Sequence, residues 1–193
     1  MEYSRIAPIM GRLWSPIAAV TSHWQGKSNA QIAVAIAAAS IVPDMPRVLL
    51  QIYKTNYSHD LIYNSGCFAL NFLRQDQLEL INDFGLVSGR DRDKLLGVAH
   101  APRATGSPVL DDCWGFLDCR VVNAMDGGDM TCFLGDVLDG ETLSQAEPLY
   151  WRDARREIPA AWNEEWDRKI SGEIEVSKRR MPNLDFKPWQ PKA

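Results

Sequence analysis

The sequence predicts a mainly β protein with short helices, folded as a closed or half-closed barrel that carries a C-terminal helical extension. At least six strand-like segments occur with two short helix-like segments, and a longer amphipathic helix follows them. The glycine-rich nucleotide fingerprints G-x-G-x-x-G and G-x-x-x-x-G-K-[ST] do not occur, which argues against a Rossmann-type sheet. The 193 residues are 46% hydrophobic, which suffices for one continuous core with an appendage.

The N-terminal part of the chain contains three predicted strands. Residues 17–22 form a short apolar strand, and residues 23–28 (HWQGKS) are typical of a turn. The run of Ala, Ile and Val over residues 29–42 has no decisive period. We interpret it as mostly strand, because two prolines close it and residues 47–53 (RVLLQIY) have the composition of a strand.

Two short helices and a buried strand are predicted next. Residues 58–65 form a helix, with Ser58 suited to its N-cap and Gly66 to its end. Residues 67–73 (CFALNFL) form a buried strand, and residues 76–84 form the second helix. These alternating elements supply the middle of the predicted barrel.

The following stretch is predicted as two loops and a hairpin. Residues 88–94 (SGRDRDK) and 98–113 have loop composition. Residues 116–124 and 131–138 form two strands that are joined by a turn at residues 126–128.

The C-terminal part of the chain has a different pattern. Four large apolar side chains recur every four residues on one face of a predicted helix: Trp162, Trp166, Ile170 and Ile174. We predict that this face packs across a dimer, and the alternative is that it covers an open end of its own barrel. Residues 181–193 contain three prolines and are predicted to be an extended arm. We therefore divide the chain into a barrel domain, residues 1–150, and a C-terminal helix with its arm, residues 151–193.

Composition and charge argue against several classes of function. The net charge is −4 with mixed signs, and the absence of a basic stripe predicts no nucleic-acid partner. The longest apolar stretch, residues 32–42, is shorter than the ~20 residues that span a bilayer, and no signal-peptide pattern is present. We expect a cytoplasmic protein without a membrane partner. The four cysteines form no C-x-x-C pair and the three histidines are scattered, so we expect reduced thiols and no metal site.

Two segments have compositions that suit ligand binding. Residues 54–60 lie between a strand and a helix N-terminus, where unpaired N–H groups, a lysine and hydroxyl groups form a plausible phosphate cradle. The alternative is an ordinary capped helix with a solvated lysine. Residues 28–35 have small side chains that let a flat ring lie against the backbone, and the alternative is a tightly packed core strand.

An ordered set of motifs resembles the flavin-reductase-like family. The resemblance extends over about residues 13–140, two-thirds of the chain, and includes an SG-x-F-x-x-N strand and an SGRD-x-DK loop. The matching segments are residues 15–21, 28–30, 39–43, 54–58, 65–71, 88–94, 106–110 and 126–129.

The resemblance implies a split β-barrel and a homodimer that binds FMN near the subunit interface. It also implies hydride exchange with NADH or NADPH, as in many members. Four residues are implied to hold the FMN phosphate: Lys54, Thr55, Asn56 and Ser58. Four others are implied to line the edge of the flavin ring: Asn29, Ala30, Gln31 and Ile32. No catalytic acid or base is assigned, because the flavin itself performs the redox chemistry.

Three positions depart from the family pattern, and the sequence is therefore compatible with three functions. Ile32 and Val34 stand where the family often has hydroxyl residues, and Met130 stands where reductases that use nicotinamide commonly have histidine. The leading hypothesis is an FMN-dependent oxidoreductase of the NAD(P)H:flavin reductase type. Met130 favours the alternative of an FMN-binding electron carrier that a redox protein partner reduces. Ile32 and Val34 favour a structural dimeric barrel that has lost its flavin.

Overall fold

The computed structural model describes residues 2–190. The strands are β1 (Ala18–Trp24), β2 (Lys27–Ala33), β3 (Ile36–Ala38), β4 (Arg47–Tyr53), β5 (Cys67–Phe72), β6 (His100–Pro102), β7 (Pro108–Leu110), β8 (Gly115–Asp126) and β9 (Met130–Thr142). The α-helices are α1 (Ala7–Met10), α2 (Tyr57–Ser65), α3 (Glu79–Ile81), α4 (Trp151–Glu157) and α5 (Ala160–Arg180). A 3₁₀ turn covers Tyr3–Arg5, and a π-helical turn, Asn82–Leu86, directly follows α3.

Seven of the strands form one antiparallel sheet in the order β2-β1-β5-β8-β9-β4-β3. Its two edge strands, β2 and β3, are separated by only residues 34 and 35 of the chain. Because so short a link joins the two edges, the sheet must curl around into a half-open barrel with its gap between them. The predicted split β-barrel with short helices and a C-terminal helix is therefore confirmed.

The first hairpin is tighter than the sequence suggested. The turn consists of Gln25 and Gly26 alone, whose φ angles of +48° and +74° fit a type I′ turn. Trp24 pairs with Lys27 directly beside this turn. The predicted turn over residues 23–28 is wrong in length, because antiparallel pairing continues up to the two central residues.

The apolar run over residues 29–42 is strand over little more than half of its length. β2 ends at Ala33, β3 covers Ile36–Ala38, and residues 39–42 have no regular structure. The break follows from the hydrogen bonds of the link. The Val34 carbonyl accepts from the Ser15 N–H at 2.9 Å, and the Ala35 carbonyl accepts from the Gln51 N–H at 3.0 Å. The chain thereby leaves one sheet edge and joins the other.

Two hydrophobic clusters lie on opposite faces of the sheet. Ile17 and Ala19 belong to a first cluster that includes α4 and the π-helical turn, whereas Ala18 and Val20 belong to a second cluster inside the barrel. Successive side chains of a strand point to opposite faces, so alternate residues enter different clusters. Burial on both faces explains why these strands show no polar–apolar alternation in the sequence.

The helices differ from the predictions at their ends. α2 begins at Tyr57 with Asn56 at its N-cap, so the assignment of the N-cap to Ser58 is wrong. Gly66 ends α2 in the left-handed conformation, φ +71°, as predicted. The second predicted helix, residues 76–84, is confined to the single turn α3 and continues as the π-helical turn.

The remaining corrections concern loops and strand lengths. The predicted loop over residues 98–113 contains the two-stranded sheet of β6 and β7. The strands of the last hairpin, β8 and β9, are longer than predicted, and the turn between them lies at Gly127 and Gly128. The helix α4 was not predicted, although it buries Trp151 in the first cluster.

The C-terminal helix packs on its own chain. Trp162 and Trp166 contact the first cluster, whereas Ile174 is 47% exposed. The arm then returns to the barrel, where Trp189 packs on the second cluster and donates a hydrogen bond to the Tyr63 carbonyl at 3.2 Å. Residues 191–193 of the predicted arm lie outside the described residues. Within residues 2–190, no helix combines the length and the apolarity needed to cross a bilayer.

Candidate functional site

A cavity of about 480 Å³ lies at the gap of the barrel, and its volume falls within the usual range of small-molecule sites. We refer to it below as the cavity. Its walls come from β2 and the link that follows, the ends of β4 and β9, the N-terminus of α2, the π-helical turn, the loop over residues 87–91, and α5.

The β2 wall presents two buried amide oxygens to the cavity. Asn29 is 2% exposed and Gln31 is 8% exposed. The Asn29 amide donates from Nδ2 to Ser58 Oγ at 2.8 Å, which leaves its Oδ1 as an acceptor. No described residue donates to Asn29 Oδ1 or to Gln31 Oε1. Since an unpaired buried acceptor costs about 1–3 kcal/mol, these atoms are suited to accept hydrogen bonds from a bound ligand.

Gly89 fixes the distance between the loop and this wall. A Cβ atom on Gly89 would lie 1.8 Å from Asn29 Oδ1, which is far closer than any real contact. The loop backbone therefore approaches the amide in a way that requires glycine. The loop over residues 87–91 therefore lies directly against β2.

The part of the cavity at the N-terminus of α2 has the properties of an anion site. Thr55 and Asn56 line it just before α2, and the buried Thr55 Oγ1 has no hydrogen-bond partner among the described residues. Arg90 also lines the cavity; it donates to the Thr55 carbonyl at 3.1 Å and to Asp60 Oδ2 at 2.6 Å. Its guanidinium lies 5.2 Å from the centre of the Tyr57 ring. A fixed cation beside free helix N–H groups favours a negatively charged ligand group.

Arg90 was missed because a charged SGRD-x-DK loop is usually a solvated surface feature. The motif itself indicated a ligand site, because its glycine allows the backbone to approach a neighbour closely and its arginine provides a cation. What the sequence could not show is that this loop folds back onto the N-terminus of α2.

The structure brings five of the eight predicted site residues to the cavity wall: Asn29, Gln31, Ile32, Thr55 and Asn56. The other three lie behind the wall. Ala30 is fully buried in the first cluster, and Ser58 is fully buried beneath Asn29. The Lys54 ammonium donates to Asp126 Oδ1 at 2.5 Å, where it connects the start of α2 to the β8–β9 turn.

Two lysines bind consecutive carbonyls of the π-helical turn. Lys94 Nζ donates to the Phe84 carbonyl at 2.7 Å, and Lys169 Nζ of α5 donates to the Gly85 carbonyl. Burial lowers the pKa of Lys94 to about 7, and the charges of Lys169 and Arg92 act in the same direction. Burial also lowers the pKa of Lys169. Both side chains line the cavity, so they place two amino groups beside it.

The helix α5 closes one side of the cavity. Trp166 lies so close to Gly85 that a Cβ atom there would be 2.4 Å from Trp166 Cζ3. The Trp166 ring also packs on Trp151, with ring centres 4.4 Å apart. Glu173 lines the cavity one turn beyond Lys169, and burial raises the pKa of its carboxyl group. Sequence reasoning recognised the apolar face of α5 but missed Lys169 and Glu173.

The mouth of the cavity contains Tyr53 and Met130, which are cross-strand partners at the ends of β4 and β9. Burial raises the pKa of Tyr53, and the negative charges of Asp129 and Glu173 raise it further. Met130 and Glu173 thus both line the cavity.

The arrangement suits a planar ligand with a hydrogen-bonding edge and an anionic group. Amide acceptors lie on one wall, a cation and helix N–H groups lie on another, and Ile32, Val34 and Trp166 provide apolar surface between them. Within residues 2–190, His, Cys, Asp and Glu side chains do not gather in any group of three that could hold a metal ion.

Comparison with known proteins supports this interpretation of the fold. The family model described as the flavin reductase like domain matches residues 10–159, which include every strand of the described structure and α4 but not α5. A crystal structure of a homologue of nitrilotriacetate monooxygenase component B from Mycobacterium thermoresistibile superposes with a TM-score of 0.65 at 27% identity. The match covers 76% of this chain and 80% of that protein.

The chain is also similar to other proteins at about 30% identity. The ferric-chelate reductase (NAD(P)H) of Archaeoglobus fulgidus is 31% identical over 136 residues, 69% of this chain and 79% of that protein. The high molecular weight rubredoxin of Moorella thermoacetica is 30% identical over 142 residues, 71% of this chain. The chain spans only 61% of the length of that rubredoxin.

Proposed function

We propose that this chain, which belongs to the flavin reductase-like family, is an FMN-binding oxidoreductase of the NAD(P)H:flavin reductase type. The observation that carries this proposal is the pair of unpartnered buried oxygens on Asn29 and Gln31, in the same cavity as the anion site at Thr55, Asn56 and Arg90.

The residues of the cavity fit FMN in three respects. The pyrimidine edge of the flavin ring has an N–H group that can donate a hydrogen bond to Asn29 Oδ1 or to Gln31 Oε1. The phosphate group matches the free N–H groups of α2, the Thr55 hydroxyl and the Arg90 guanidinium. The apolar side chains of Ile32 and Val34 can pack against the ring face. They make no hydrogen bonds there, unlike the hydroxyl residues that the family often has at these positions.

FMN, when bound, supplies the hydride chemistry of the reaction. The protein binds and orients it: Asn29 and Gln31 set the ring edge, and Arg90 neutralises phosphate charge. Trp166 and Ile170 of α5 exclude water from the cavity. We assign supporting roles to Lys54, Ser58 and Ala30, because Lys54 fixes the β8–β9 turn through Asp126, Ser58 holds the Asn29 amide, and Ala30 packs β2 on the core.

We also propose that the protein functions as a homodimer. The N-terminal segment leaves Ile9 and Leu13 more than 60% exposed, and Trp14, which lines the cavity, is 45% exposed. A second copy that covers this segment would remove apolar surface from water and shield the cavity. Sedimentation of the purified protein over a range of concentrations measures this association, and a strictly monomeric protein would contradict it.

The test of the main proposal is an absorption spectrum of the purified protein before and after anaerobic addition of NADH or NADPH. We expect a bound flavin whose visible absorption bleaches on addition of one of these nucleotides. A colourless protein that does not take up FMN would contradict the proposal and favour a barrel that has lost its flavin.

A second candidate function is that of an FMN-binding electron carrier reduced by a protein partner. Met130 favours it, because a thioether in the cavity cannot make the polar contact that a histidine makes. The similarity to a high molecular weight rubredoxin points in the same direction. A flavin that NADH and NADPH leave oxidised, but that a reduced iron–sulfur protein of the rubredoxin class bleaches, would establish this alternative.

A further inference from the structure

We infer that Lys169 and Glu173 of α5 form the binding site for the carboxamide group of the nicotinamide ring. The inference rests on the proposed function and names the residues that select its co-substrate. Both residues lie on the part of the chain beyond residues 10–159, so they are not among the residues that the family model matches.

The positions of the two side chains suit one small ligand group. Lys169 and Glu173 are four residues apart on α5, which places them one above the other on the same face of the helix. Both line the cavity. Among the described residues they form no ion pair with each other, and Glu173 accepts no hydrogen bond, although its side chain is partly buried. The ammonium of Lys169 donates to the Gly85 carbonyl and keeps two further N–H donors.

A primary amide is complementary to this pair. Its carbonyl oxygen accepts a hydrogen bond and its NH₂ group donates one, and the two groups lie side by side. The Lys169 ammonium can donate to the carbonyl while the Glu173 carboxylate accepts from the NH₂ group, so both contacts are charge-assisted. Trp166, one turn before Ile170 on the same helix, adds an aromatic surface for a planar ring.

The location within the cavity agrees with this role. Glu173 lies near enough to Tyr53 for its charge to contribute, after burial and Asp129, to the raised pKa of the phenol. Tyr53 is the cross-strand partner of Met130. Met130, Lys169 and Glu173 line one cavity, so the polar pair on α5 can supply from another element the polar contacts that a methionine cannot make.

The experiment compares Lys169→Met and Glu173→Gln with two control variants on the exposed face of α5, Arg168→Met and Glu164→Gln. Calorimetry measures the binding of NAD⁺, NADP⁺ and ADP-ribose to each FMN-loaded protein. ADP-ribose lacks the nicotinamide ring and reports the contacts of the rest of the nucleotide. A titration with FMN and a thermal melt show whether each variant keeps its fold and its flavin.

We expect each cavity variant to bind the preferred nicotinamide nucleotide about tenfold more weakly, because one charge-assisted hydrogen bond is lost. Affinity for ADP-ribose and for FMN should stay unchanged, and the control variants should resemble the wild type. In steady-state reduction the KM for the reduced nucleotide should rise by a similar factor. Lys169→Arg keeps the cation and should retain most of the affinity.

Two results would overturn the inference: unchanged nucleotide binding in both cavity variants, or equal losses for the nicotinamide nucleotide and for ADP-ribose. A wild-type protein that takes up FMN but binds none of the nucleotides would contradict both the inference and the use of NAD(P)H in the proposed function. A wild-type protein that binds nicotinamide nucleotides but no FMN contradicts the proposed function instead. The two failures are therefore distinguishable.

Discussion

The contact between Gly85 and Trp166 predicts how tightly α5 is held against the cavity. In the variant Gly85→Ala, the new Cβ atom would lie 2.4 Å from Trp166 Cζ3 and 3.2 Å from Cη2. An ordinary carbon–carbon contact needs about 3.5 Å, so the indole ring must move by about 1 Å. Trp166 packs on Trp151 and Lys169 binds the Gly85 carbonyl, so this movement displaces α5 as a unit.

The expected cost follows from that displacement. Adding a methyl group to a packed interior destabilises proteins by about 1–3 kcal/mol. For a chain of this size, about 1 kcal/mol corresponds to roughly 2–4 °C in Tm. We therefore expect Gly85→Ala to lower the Tm by about 2–12 °C and to weaken nicotinamide nucleotide binding, because Lys169 moves with α5.

Thermal melts of the wild type, the single variants and one double variant test this reasoning. Gly172→Ala, on the exposed part of α5 with no atom within 4 Å of the new Cβ, is the control and should raise stability by about 0.5–1 kcal/mol. Trp166→Leu combined with Gly85→Ala should cost less than the sum of the single changes, because the shorter side chain leaves room for the methyl group. A Gly85→Ala protein that melts at the wild-type temperature would refute the argument.

Three further predictions follow from individual contacts. Lys54→Ala should weaken FMN and riboflavin binding equally, because Lys54 binds Asp126, and a selective loss for FMN in parallel titrations would instead place Lys54 on the phosphate. Burial lowers the pKa of Lys94 from its ordinary value of 10.5 to about 7. Between these two pH values the unfolded chain binds more protons than the folded chain does. The free energy of unfolding should therefore rise with pH across this range. Lys94→Met should remove most of that rise between pH 7 and pH 9 in urea denaturation, whereas the exposed control Lys178→Met should retain it. Deletion of the chain from residue 160 onward should lower the Tm, because it exposes the surface beneath the partly buried Trp162 and Trp166. Each of these side chains contributes less than the roughly 1.5–3 kcal/mol of full burial. An unchanged Tm would show that α5 does not stabilise its own barrel.

Much of the fold could be predicted because local signals and tertiary structure agree. β4 has the predicted bounds, and Gly66 ends α2 as its sequence position indicates. The bounds of the first hairpin and the existence of β6 and β7 could not be predicted, because strand pairing depends on distant partners. The break at Val34 likewise requires Ser15 and Gln51, which lie far away in the sequence.

The site could be predicted only in part, for a similar reason. Asn29, Gln31, Thr55 and Asn56 lie in segments whose own composition indicated ligand binding, and they reach the cavity. Lys54 belongs to such a segment too, but Asp126, 72 residues away, binds its ammonium. The cation that reaches the cavity instead comes from Arg90 in another loop. No local pattern distinguishes Arg90 from the neighbouring Arg92, which binds Asp83.

The measurement that tests the account most directly is a parallel titration of the flavin-free protein with FMN and with riboflavin. If Arg90 and the N-terminus of α2 hold the phosphate as proposed, FMN should bind at least about tenfold more tightly than riboflavin. Arg90→Ala should lose most of that preference, whereas the control Arg92→Ala should keep it. Equal affinities of the wild-type protein for FMN and riboflavin, or no binding of either, would contradict the account.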